Sequence, residues 1–154
     1  MKVAEAFKKD VIKVNRSLSL RKLLDLFRDF HTHPVIPVVD DNSNLIGVVY
    51  SEDLLDLLRP QQAKLFRNIP FTEVNEDVFD LEPIPYMGEL IIVDDIMTTN
   101  YVAVKVDDQL EEAYKSMRLH KKERLPVVDS EGKLVGIIGL FDIIWQMFKE
   151  KGFV

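Results

Sequence analysis

The stretch Pro37-Val38-Val39-Asp40-Asp41-Asn42-Ser43-Asn44-Leu45-Ile46-Gly47 returns 89 residues later as Pro126-Val127-Val128-Asp129-Ser130-Glu131-Gly132-Lys133-Leu134-Val135-Gly136. The register continues without a gap through Asp53 and Asp142. Over residues 37–55, seven of nineteen pairs are identical and five more exchange Ile, Val and Leu. Upstream, at an offset of 90, Val3-Ala4-Glu5-Ala6-Phe7 falls on Val93-Asp94-Asp95-Ile96-Met97, and Val14 on Val104. A single inserted residue separates the two registers, so the chain is an internal repeat of one supersecondary unit.

The periodicities within each copy define its elements. Leu20, Leu23, Leu24 and Phe27, and their counterparts Leu110, Ala113, Tyr114 and Met117, are spaced i, i+3, i+4, i+7, the apolar stripe of an amphipathic helix. Helices are expected over about Ser19 to Phe30 and Gln109 to His120, each preceded by a short strand (Val11 to Val14; Tyr101 to Val106). Asp40 to Asn44 and Asp129 to Lys133 lie between β-branched runs, and their Asp, Asn and Gly content predicts hairpin turns. Asp108 with Glu111 has the spacing of a capping box, and Ser17 or Ser19 is placed to cap the equivalent helix. The second helices, Glu52 to Arg59 and about Asp142 to Lys151, are apolar over more than one stripe. One face covers the unit's own sheet, and the surplus face calls for the other repeat or another copy of the chain, so a homodimer is expected.

Charge separates the connection from the units. Hydrophobic residues make up 47% and charged residues 30% of 154, a globular balance. From Asn68 to Val104 there are eight acids and no Lys or Arg; the stretch carries −8 against a net −6 for the whole chain. With Pro70, Pro83 and Pro85 it reads as a linker. The expected organisation is a first repeat at 1–60, an acidic connection at 61–92 and a second repeat at 93–154. The net charge argues against nucleic-acid binding. Met1-Lys2-Val3-Ala4-Glu5 carries charge too early for a signal core or membrane span, and with no cysteine in the chain a reducing, cytoplasmic setting is expected.

The ordered set Val93-Asp94-Asp95-Ile96-Met97-Thr98-Thr99, Arg124-Leu125-Pro126-Val127-Val128-Asp129 and Gly132-Lys133-Leu134-Val135-Gly136-Ile137-Ile138 running into Asp142 resembles a cystathionine-β-synthase (CBS) domain. Pro37-Val38-Val39-Asp40 and Leu45-Ile46-Gly47-Val48-Val49 into Asp53 resemble it less closely. The resemblance covers both copies. It implies an α+β (α/β) fold of two β-α-β-β-α repeats packed sheet to sheet with pseudo-two-fold symmetry, leaving two clefts that bind adenosine-containing ligands in many relatives.

The same resemblance assigns the ribose hydroxyls to Asp53 and Asp142, a role that suits a carboxylate able to accept two hydrogen bonds. It places Ile36 and Pro37 in one cleft, and Arg124, Leu125 and Pro126 in the other, along the adenine and phosphate sides. Relatives often carry Thr or Ser three residues before the aspartate. Here those positions are Tyr50 and Gly139, and Ser51 stands one residue late, a turn of about 100° on a helix. Arg118, His120, Lys121, Lys122 and Arg124 precede the second proline, against Arg28, His31 and His33 before the first, so a phosphorylated ligand is expected in the second cleft.

Each of these readings has a plainer counterpart. Asp53 and Asp142 suit the first turn of any helix, and the basic run suits a solvated helix end. His31-Thr32-His33 lacks a third metal ligand, and the acidic connection lacks an EF-hand spacing. No phosphate loop, nucleophile elbow, HExxH or cysteine is present, so no catalytic class is indicated. The reading that results is a regulatory module sensing AMP, ADP, ATP or S-adenosylmethionine, which alters dimer geometry or the grip on an unidentified regulated protein. The alternatives are a ligand-free dimerisation module or a regulatory fragment of a larger transporter or enzyme.

Overall fold

In the computed structural model, which describes residues 1–29, 35–57 and 87–154, the repeated stretch folds twice into the same hairpin. Strand β1 (Val35–Val39) pairs antiparallel with β2 (Leu45–Tyr50), and β4 (Arg124–Val128) with β5 (Leu134–Gly139). Both ladders shift register at the same step, between Val38 and Val39 and between Val127 and Val128. The aspartates build the turns. Asp40 Oδ1 accepts from the amides of Asn42 and Asn44, both at 2.9 Å, and Asp129 Oδ1 from those of Glu131 and Lys133 at 2.9 and 3.0 Å. Ser43 and Gly132 occupy the equivalent left-handed position, with φ of 67° and 82°, which glycine adopts freely and serine at some cost.

Helices flank these hairpins in the expected order: α1 (Leu20–Asp29), α2 (Ser51–Leu57), short α3 (Met87–Leu90) and α4 (Val93–Ile96), α5 (Leu110–His120) and α6 (Leu140–Glu150). Strand alternation sorts the core. Ile36, Val38 and Val49 face the helix side with Leu23, and Leu125, Val127 and Ile138 do so with Leu110, Ala113 and Met117. The opposite faces meet at the seam, where Val39 and Leu45 of one repeat pack with Leu134 and Val128 of the other. The sheets therefore pack against each other. At the tips of the hairpins the two repeats exchange backbone bonds: the Leu45 amide donates to Gly132 O at 3.2 Å, and the Leu134 amide to Ser43 O at 2.9 Å.

The opening segment of each repeat packs on the other repeat, a feature that sequence similarity does not disclose. The Val3 amide donates to Asp108 O and the Val93 amide to Leu18 O, at 2.8 and 2.9 Å. Val3 is fully buried in the core of the second repeat and Val93 in that of the first. Lys8 and Ile137 exchange amide–carbonyl bonds across the seam at 2.9 and 3.0 Å, as do Thr98 and Val48 at 2.8 and 3.0 Å. All these contacts obey the offsets of 89 and 90, so they are two copies of one pattern.

Several expected elements change in consequence. Val11 to Val14 makes only an isolated parallel bridge, Val14 to Val38, and the strand expected at Tyr101 to Val106 is β3 (Val104–Lys105), parallel to β4. Each segment leaves the neighbouring sheet at Lys8 or Thr98 before reaching its own, which leaves no length for a long ladder. Asp108 does not cap α5: the N-cap is Gln109, and Asp108 Oδ2 accepts from the Lys105 amide instead. Ser19 is the side chain that caps α1, accepting from the Lys22 amide at 3.3 Å. The last helices begin at Ser51 and Leu140, ahead of Glu52 and Asp142; Leu58 and Arg59 lie outside the described residues. On α6 the surplus apolar face is exposed, with Ile144, Trp145, Met147 and Phe148 all open to solvent.

The crossing leaves no room at Gly136. A Cβ there would collide with the Lys8 carbonyl oxygen, whereas at Gly47 it would meet the end of the flexible Met97 side chain, Sδ at 2.7 Å. Gly136→Ala is therefore expected to cost the upper part of the roughly 1–3 kcal/mol of an overpacked core, lowering Tm by several degrees at about 2–4 °C per kcal/mol. Gly47→Ala should cost clearly less. Thermal melts of the two variants check this, and equal losses would contradict the crossing as described.

Candidate functional site

Each hairpin runs directly into its second helix, with Tyr50 and Gly139 as the residues before the first turn. Three residues on, Asp53 and Asp142 reach back in the same way: Asp53 Oδ2 accepts from the Tyr50 amide and Asp142 Oδ2 from the Gly139 amide, both at 2.8 Å. This satisfies one of the amides a helix leaves unpaired at its start. One oxygen of each carboxylate is thus committed to the fold.

The other oxygens differ. Asp142 Oδ1 faces Lys8 Nζ at 3.7 Å; Asp142 is 14% exposed and Lys8 74%, so this pair is loose and contributes little. Asp142 opens on a cleft of about 190 Å3 at the seam, lined by Lys8, Asp10 and Val11 of the first repeat and by Arg124, Ile137 and Gly139 of the second. Arg124 has no ion pair among the described residues, which leaves its guanidinium available to an anion. Gly139 supplies the space: a Cβ there would stand 3.3 Å from Asp142 Oδ2 and 3.8 Å from Arg124 Cγ.

Around Asp53 the Thr98 hydroxyl lies 3.1 Å from both carboxylate oxygens. Burial raises the Asp53 pKa above its ordinary 3.8, as do the charges of Glu52 and Asp56, while the hydrogen bonds from Tyr50 and Thr98 pull it down. Tyr50 is 7% exposed and packs with Val35, Val48 and Tyr101. Burial, and then the Asp53 and Glu52 carboxylates, push its phenol up. Lys122 Nζ sits 3.9 Å from the centre of the Tyr50 ring and 3.4 Å from Glu52 Oε2, a cation–π contact of about 0.5–2 kcal/mol depending on desolvation.

The sequence-predicted residues thus divide. Arg124 and Asp142 share the second cleft. Pro37 and Pro126 are fully buried and by strand alternation lie on the seam side. Ile36 and Leu125 bury their side chains on the helix side of their sheets, in the two cores, because each stands one residue from the proline and so points the opposite way. Lys122, expected beside the second cleft, crosses to the first repeat. Lys8, Val11, Thr98 and Tyr101 were missed, since only the exchanged opening segments bring them to the clefts; the offset of 90 pairs Lys8 with Thr98 and Val11 with Tyr101 and was the available signal. His31 and His33 lie outside the described residues, among which no cluster of three metal-ligating side chains occurs. No described helix is long and apolar enough to cross a membrane.

Comparison with known proteins bears on these clefts. The family model for the CBS domain matches residues 3–60 and 93–149. The chloroplastic CBS domain-containing protein CBSX1 of Arabidopsis thaliana is 37% identical over 107 residues, 66% of this chain and 44% of that protein. A CBS domain-containing protein of Dictyostelium discoideum is 30% identical over 148 residues, 96% of this chain and 91% of its own. The structure of CBSX2, a CBS-pair protein of Arabidopsis thaliana, in complex with AMP superposes with a TM-score of 0.70 at 28% identity, covering 97% of this chain and 98% of that one. The chain spans about 44% of the length of the chloroplastic relatives it matches.

The raised pKa of Asp53 has a definite sign. The folded state holds its proton to higher pH than the unfolded chain, so the group's contribution is full below about 3.8 and is lost as pH rises through the folded value. Asp53→Asn removes this dependence. Melts from acid to neutral pH are expected to show wild type losing ground to the variant as Asp53 ionises, and wild type gaining on the variant as pH rises would contradict the burial assigned to it.

Proposed function

Since the chain belongs to the CBS domain family, we propose that it is a regulatory module that senses an adenine nucleotide at the seam between its repeats. One observation carries the reading: Asp142 keeps one carboxylate oxygen off its helix cap, in a cleft that also holds the Arg124 guanidinium, which has no ion pair among the described residues. A ribose diol suits the first and a phosphate the second. The AMP complex of CBSX2, a relative alike over almost the whole chain, supports adenine as the base. ADP, ATP and S-adenosylmethionine share the adenosine part and belong in the same test.

The cleft draws its wall from both repeats, Lys8 and Val11 from one and Arg124 and Asp142 from the other. A ligand that prefers one spacing of these walls therefore shifts the arrangement of the repeats, and coupling requires no more than that differential affinity. The outlet we propose is a homodimer. Between α5 and α6 lies an apolar groove of about 670 Å3, bordered by Met1, Tyr114, Ile144 and Met147, and Trp145 and Phe148 of α6 are exposed as well. This face equally suits a dimerisation module that takes no ligand. Regulation of an unidentified partner, in cis or in trans, completes the proposal.

Thermal melts with AMP, ADP, ATP and S-adenosylmethionine test the sensing role. At about 100 times its dissociation constant a ligand adds about 2.7 kcal/mol, a rise of roughly 5–10 °C for a chain of this size. Asp142→Ala is expected to abolish the rise, and no rise with any of the four would overturn nucleotide sensing and favour the dimerisation module. Light scattering is expected to give twice the 17.8 kDa chain mass, and Ile144→Glu to halve it; a monomeric wild type would remove the dimer from the proposal.

A further inference from the structure

We infer that the cleft at Asp53 is filled by the chain's own side chains, so that the protein holds one adenine nucleotide per chain, at Asp142; this rests on the Asp142 cleft being a nucleotide site. The two clefts share a backbone, and position by position the first is the fuller. Where the second has Gly139, the first has Tyr50, 7% exposed and packed on Val35, Val48 and Tyr101. Where the second has Val11, the first has Tyr101, its hydroxyl donating to the Leu45 carbonyl at 3.0 Å. Two phenol rings thus stand where the other cleft has a hydrogen and an isopropyl group.

The polar groups follow suit. Lys8 is replaced by Thr98, whose hydroxyl lies 3.1 Å from each oxygen of Asp53, and the Tyr50 amide takes one of these oxygens as well. A ribose would have to displace Thr98 to reach this carboxylate. Arg124 is replaced by Val35, which removes the cation a phosphate would need. Among the described residues the cation nearby is Lys122, which reaches over from the second repeat and is already held on the Tyr50 ring at 3.9 Å and by Glu52 at 3.4 Å. It clasps the filled cleft from outside.

Isothermal titration of the full chain with AMP and with ATP tests this. Wild type is expected to bind one equivalent per chain and Asp142→Ala none. Tyr50→Gly/Val35→Arg, which gives the first cleft the glycine and the cation that the second has at those positions, is expected to bind two, and to retain one when Asp142→Ala is added. Two equivalents on wild type, binding that survives Asp142→Ala, or a single equivalent on the double variant would each overturn the inference while leaving nucleotide sensing in place. If wild type takes up neither nucleotide, it is the functional reading that fails. Closure is then judged on the double variant alone, where new binding supports it and none overturns it. Should the double variant not melt cooperatively, co-crystals of wild type with AMP decide: nucleotide against Asp142 only supports closure, and nucleotide against Asp53 overturns it.

Discussion

The reciprocal backbone bonds between Lys8 and Ile137, and between Thr98 and Val48, are the constraint on which the rest of this structure depends. An unpaired buried amide or carbonyl costs free energy comparable to a lost hydrogen bond, so each opening segment that leaves its own repeat must find a full set of partners on the other. It does so twice, through bonds related by the duplication. The crossing places a residue of one repeat, Lys8 or Thr98, within reach of the carboxylate of the other. Without it, Asp142 and Asp53 would face only their own helices.

The hairpins and long helices were legible because each has a local cause. The aspartate turns at Asp40 and Asp129, the β-branched runs beside them and the apolar stripe on α1 and α5 all act within a dozen residues. The exchanged segments were not legible, since Val3 and Val93 find their cores in the other copy and a sequence repeat is silent on which copy packs where. The capping box at Asp108 failed for a similar reason. The turn after β3 uses that carboxylate on Lys105, a competitor that spacing alone does not reveal.

The candidate site was half legible. Arg124 and Asp142, which the family resemblance names together, line one cleft at the seam. Ile36 and Leu125 turn their side chains into the two cores instead, because a strand reverses its side chains at every residue. Lys122 was displaced by a different effect. It follows the left-handed Lys121, φ 55°, which ends α5 and turns the chain toward the first repeat, where an aromatic face and Glu52 receive the ammonium.

The presence of an aspartate at both Asp53 and Asp142 invites the conclusion that both clefts bind the same ligand. The hydrogen bonds supply a sufficient cause that involves no ligand at all. In each copy the carboxylate takes the amide that precedes the helix, at 2.8 Å, and an uncapped amide at that point would cost about 0.5–2 kcal/mol. An acid at this position therefore supports the fold in both repeats whatever occupies the cleft beside it. What distinguishes the two is the second oxygen and the space in front of it, and those are set by the residues that differ between the copies: Tyr50 against Gly139, Tyr101 against Val11, Thr98 against Lys8. Shared residues maintain the duplicated scaffold, and the unshared ones decide what each cleft can hold.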